Sequence, residues 1–98
     1  MVVQITFKEE KDVQTFEKAF TPLAAYVTEK EPHTVSYAYA RSDKDPKKIM
    51  IYERYRNKEA YLDIHKSSEP FLKFRPQLQA LGATIEGESY LESNLGFV

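Results

Sequence analysis

The chain has no cysteine, no tryptophan and only three glycines among 98 residues. Without cysteine there is no disulfide, no thiolate zinc site and no thiol nucleophile. Its two histidines, His33 and His65, are not spaced as in HExxH-type motifs, so no dedicated metal site is expected. No apolar run approaches the roughly 20 residues a membrane-spanning helix needs. The opening strand-like run is too brief for a signal peptide, which makes a cytoplasmic protein the expectation. An excess of one charge is missing too. Fourteen basic and fifteen acidic residues are interleaved, leaving no patch for nucleic acid despite seven tyrosines that could stack on bases.

What is present suits a folded domain. Hydrophobic residues make up 42% of the chain, and the length accommodates a single domain over 1–98. A monomer of this size buries only about two-thirds of its unfolded surface, so dimerisation is a natural way to gain core.

Val3, Ile5 and Phe7 alternate on one face of a first strand starting at Val2. Asp12 is a candidate cap for a helix in which Val13, Phe16, Phe20, Leu23 and Val27 form an apolar stripe. Pro22 is expected to kink this helix, and Glu29-Lys30-Glu31-Pro32 to close it. A second strand follows, with Val35, Tyr37 and Tyr39 on one side and small Ser36, Ala38 and Ala40 on the other. The turn through Asp45-Pro46 predicts an antiparallel hairpin to a third strand, Ile49 to Arg56. Asn57 is a good cap for a short helix placing Tyr61, Ile64 and His65 on one face. Ser67 and Ser68 start another helix, with Phe71, Phe74, Leu78 and Leu81 inward and Gly82 as its stop. Ala83 to Leu91 reads as a last strand with one wet face.

The order βαββ, two short helices, β predicts an α+β fold: a ferredoxin-like βαββαβ protomer with a four-stranded antiparallel sheet and helices on one face. Met50 and Tyr52 are too apolar to leave wet on the other face, so a second copy of the sheet is expected there. The apolar tail residues Leu95, Phe97 and Val98 are placed to clasp that homodimer partner.

Function concentrates between Ile49 and Ser68, where a carboxylate, Glu53, and an imidazole, His65, fall on adjoining apolar surfaces. The run Tyr52-Glu53-Arg54-Tyr55, the segment Asn57-Lys58-Glu59-Ala60-Tyr61, and His65, Ser67 and Phe71 resemble the antibiotic biosynthesis monooxygenase family, as does Ser36-Tyr37. The resemblance implies a dimeric α+β barrel whose characterised enzymes oxidise aromatic polyketides or quinols with molecular oxygen, often without metal, flavin or haem. It aligns Glu53 and His65 with the family's strand glutamate and helix histidine. Tyr55 stands where tryptophan is usual, which argues against the haem-degrading branch.

The resemblance thus implies a cofactor-independent monooxygenase acting on a small aromatic molecule. His65 would take the substrate proton with Glu53 orienting the imidazole. Tyr37 or Tyr55 would hydrogen-bond the developing oxyanion, and Phe71 and Phe74 would wall the pocket. Plainer roles remain open. His65 could be satisfied by a carbonyl or water, Glu53 could pair with Arg41 or Arg56, and the aromatics could be packing residues. An isomerase of a small enolisable metabolite, or a non-catalytic binding or stress-response barrel, would use the same fold.

Overall fold

The computed structural model describes residues 1–98. Strand β1 (Val2–Thr6) leads to helix α1 (Lys11–Lys30), then β2 (Thr34–Arg41) and β3 (Lys48–Tyr55). A π-helical segment (Ala60–His65), helix α2 (Glu69–Ala80) and β4 (Thr84–Glu88) follow. The four strands form one sheet in the order β2-β3-β1-β4, antiparallel throughout. This is the expected ferredoxin-like α+β arrangement. Ile5, Ile49 and Ile51 of the sheet meet Phe16, Leu23 and Phe74 of the helices in one core.

The apolar stripe of α1 lies inward as its spacing demands: Val13, Phe16, Phe20, Leu23 and Val27 are all buried. Pro22 sits on the exposed side of an unbroken helix. The helix starts just before Asp12, whose carboxylate instead accepts the Glu9 N–H at 3.2 Å. Phe16 has no exposed surface and is the hub of the aromatic core, its ring 5.4 Å from Phe7 and Phe20 and 5.6 Å from Phe74. Ser68 caps α2 by accepting the Phe71 N–H at 3.3 Å, and Gly82 ends it at φ +60°. The last strand stops at Glu88, so Leu91 lies in the tail rather than in the sheet.

Simple alternation fails at the start of β2. Thr34 pairs with Tyr55 and Ser36 with Arg54, so two residues of β2 oppose one step of β3. Val35 is the extra residue of a β-bulge and points to solvent, 46% exposed. The bulge turns Thr34 onto the helix-facing side, where Tyr37 and Glu53 also lie. The opposite sheet face carries Ser36, Ala38, Met50, Tyr52 and Arg54 and is not covered by either helix. Arg54 grips Glu92 there through two hydrogen bonds of 2.5 and 3.1 Å, holding the start of the tail. No helix is long and apolar enough to cross a membrane.

Truncating the hub should leave a cavity that the surrounding rings cannot fill. Phe16→Ala is expected to lower the unfolding free energy by about 3–5 kcal/mol in a urea titration. Leu72→Ala, on the exposed side of α2, should stay within about 0.5 kcal/mol of the parent.

Candidate active site

The segment holding His65 starts as its sequence indicates, with the Asn57 side chain accepting the Ala60 N–H at 2.9 Å. It then departs from α geometry. The Lys66 N–H bonds the Tyr61 carbonyl at 3.0 Å, an i→i+5 step. The wider turn brings Ala60 and His65, five residues apart, to the interior together. Ile64 is left 45% exposed, so Tyr61, Ile64 and His65 do not share one buried face. Spacing of three and four belongs to the α-helix and misplaces Ile64 here.

The carboxylate that orients His65 is Glu31, not Glu53. Pro32 excludes its predecessor from α geometry, and Glu31 turns out of the helix at φ −119°, ψ 78°. Its side chain swings inward, with both oxygens near His65 Nδ1 at 3.0 and 3.2 Å. Both side chains are only 1% exposed. Thr34, brought inward by the bulge, donates its hydroxyl to Glu31 Oε1 at 2.9 Å. A carboxylate can only accept, so Nδ1 carries the imidazole proton. In the neutral imidazole the Nε2 lone pair faces the Tyr37 hydroxyl, 3.5 Å away. Around the imidazole stand the rings of Tyr37, Tyr55, Tyr61 and Phe71, with centroids 5.1–6.4 Å distant.

Glu53 is buried as well, and it accepts a 2.5 Å hydrogen bond from Tyr55, two residues along the same strand face. Arg41 is engaged elsewhere, forked onto Glu17 at 2.6 and 2.8 Å, and Arg56 is exposed. Neither arginine serves as the partner considered for Glu53. Burial pushes the Glu53 carboxyl above the usual carboxylate range, against the opposing pull of the Tyr55 hydrogen bond and the His65 charge. Burial likewise pushes the Tyr37 and Tyr55 hydroxyls up, reinforced by the negative charge of Glu53.

A cavity of about 420 Å³ opens between α2 and the sheet, lined mostly by apolar side chains. Tyr37, Glu53, Phe71 and Phe74 are on its wall, together with Tyr61 and Arg75. Tyr55 lines a neighbouring cavity of about 540 Å³, which shares Glu53 and Tyr61 with the first. His65 lines neither. Four of the six residues singled out by sequence therefore meet at one cavity, with His65 behind it and Tyr55 beside it. Sequence reasoning missed Glu31, Thr34 and Arg75. The only signal for Glu31 was an acid placed directly before a proline at a helix end. No group of three or more His, Asp or Glu side chains is placed to hold a metal ion.

The sequence matches the family model for antibiotic biosynthesis monooxygenase over residues 1–77. Among solved structures, one from Caulobacter crescentus, named for the antibiotic biosynthesis monooxygenases, superposes with a TM-score of 0.75 at 26% identity. The match covers 93% of this chain and 88% of that one. A Bacteroides thetaiotaomicron protein of unknown function, described as a possible oxidoreductase, gives 0.73 at 24% identity over 87% and 86% of the two chains. A further antibiotic biosynthesis monooxygenase structure gives 0.71 at 22%, covering 93% of this chain and 97% of that one. The last two likenesses concern the fold alone. None of the curated proteins matches the chain.

The raised Glu53 carboxyl makes stability depend on pH with a definite sign. The folded state holds the Glu53 proton at pH values where an unfolded glutamate, titrating near about 4.3, has lost it. Its contribution to stability is therefore complete below that value and is lost as pH rises through the folded one. Glu53→Gln keeps an acceptor for Tyr55 and removes this loss. Urea titrations should show the variant gaining on the parent from pH 4 to pH 8; a constant difference would contradict the assignment.

Proposed function

Because the chain belongs to the antibiotic biosynthesis monooxygenase family, we propose that it is a cofactor-independent monooxygenase acting on a small phenolic, quinol or polyketide-like substrate. The observation that carries this reading is the buried Glu31–His65 pair standing directly behind an apolar cavity. Direct attack of oxygen on a closed-shell aromatic is spin-forbidden, but an electron-rich oxyanion can hand one electron to it. The chemistry asked of the protein is thus proton removal and anion stabilisation in a dry pocket.

His65 is the terminal proton acceptor, and Glu31 stabilises the imidazolium that results. Phe71 and Phe74 keep water from the anion, and Arg75 supplies positive charge on the wall. After electron transfer the two radicals join in a carbon–oxygen bond. Cleavage of the oxygen–oxygen bond then leaves one atom in the substrate as a carbonyl and releases the other as water. For a phenol with a free para position, phenol plus oxygen gives quinone plus water.

Oxygen uptake by metal-stripped protein against a panel of hydroquinones and anthrone-like phenols tests the reading. Uptake should exceed autoxidation and fall by about 10² or more in His65→Gln, whose amide still offers Glu31 a donor, with the fold checked by circular dichroism. Uptake no faster than autoxidation across the panel would favour an isomerase or a binding module instead.

The working unit is proposed to be a homodimer formed through the uncovered sheet face and the tail. Met50 and Tyr52 on that face, and Leu91 and Phe97 at 96% and 100% exposure in the tail, are the surfaces that gain from a second copy. Light scattering at micromolar concentration should return twice the chain mass, and removal of residues 93–98 should weaken the association. A monomeric mass for the full chain would overturn this assembly.

A further inference from the structure

We propose, resting on the reading above, that Tyr37 is the group that meets the substrate and relays its proton to His65, so that the substrate is an oxygen acid: a phenol, quinol or enol presenting an O–H. The argument begins with access. His65 is 1% exposed, its Nδ1 is occupied by Glu31, and four aromatic rings enclose it. His65 forms no part of the wall of either cavity, so Nε2 is not presented to a substrate there. The Tyr37 hydroxyl does reach it, at 3.5 Å, while the same side chain lines the cavity beside Glu53 and Phe71. Catalytic hydrogen bonds are often this long before substrate binds and tighten in the complex.

The chemistry of tyrosine then limits the substrate. Burial and the nearby carboxylates disfavour a standing Tyr37 phenolate. The hydroxyl can accept a proton only while giving up its own. In the relay the substrate O–H bond breaks as an O–H bond forms at Tyr37. The original Tyr37 O–H bond breaks as an N–H bond forms at His65 Nε2. No electrons are transferred; the products are a substrate oxyanion, a neutral tyrosine now donating to it, and an imidazolium held by Glu31. A substrate hydroxyl can join such a chain of hydrogen bonds. A C–H acid donates too weakly to do so, and a neutral phenol is too poor a base to take its proton directly.

The test uses 4-nitrophenol as the probe, at a pH below its own pKa, because its anion absorbs visibly. On binding the parent protein, the probe should ionise, and ¹⁵N spectra should show His65 gaining a proton on Nε2. Tyr37→Phe keeps the ring that stacks on Phe20 at 5.5 Å and removes only the hydroxyl. It should bind the probe with at least about tenfold less ionisation, the effect of losing one hydrogen bond to the bound oxyanion. Tyr39→Phe, whose hydroxyl bonds Glu17 away from the cavity, should behave as the parent. Ionisation by Tyr37→Phe equal to the parent overturns the relay. So does binding by the parent without protonation of His65, or absence of saturable binding. Oxygen uptake measured on the same samples separates the two readings: ionisation without uptake removes the oxygenase and leaves the relay.

Discussion

The contact between Glu31 and His65 is the constraint on which the rest of the structure depends. Two ionisable side chains sit in the interior with almost no access to water. Removing such groups from water costs several kcal/mol each unless they meet each other and their remaining hydrogen-bonding capacity is satisfied. Here it is satisfied: Thr34 donates to the same carboxylate, and no buried side-chain polar atom lacks a partner. The three residues come from the end of α1, the start of β2 and the end of the π-helical segment. Their pairing ties together pieces of chain about thirty residues apart at a single point.

The aromatic core and the site are one continuous packing arrangement. Phe16 stacks on Phe20, Phe20 on Tyr37, and Tyr37 meets the edge of His65. The ring that lines the cavity is therefore held from behind by the residues that stabilise the fold. Such backing restricts the Tyr37 side chain without any polar contact beyond its own hydroxyl. The order of the site is inherited from the core and needs no separate scaffold.

Much of the fold was legible because it follows from regular periods. The α1 stripe, the hairpin, the Ser68 cap and the Gly82 stop are all consequences of 3.6- and 2-residue spacing or of local turn chemistry. The site was less legible because it is built where those periods break. A π turn shifts His65 relative to Ile64, a bulge shifts Thr34 relative to Val35, and a proline ejects Glu31 from its helix. Glu53 attracted attention as a carboxylate on an apolar strand face, and it is buried there. Its partner is the neighbouring Tyr55 rather than the imidazole, a choice made by tertiary distance that local pattern does not encode.

The bulge at Val35 separates two properties of a position that usually travel together. Its side chain faces solvent, 46% exposed. The bulge takes it out of the strand's alternation and so sets the phase of everything before it. Were Val35 paired in a regular ladder, Thr34 would rotate to the open face of the sheet and Glu31 would lose its second donor. The strand pairs there as though it were one residue shorter than its sequence. The site thus depends on an unpaired step in the ladder.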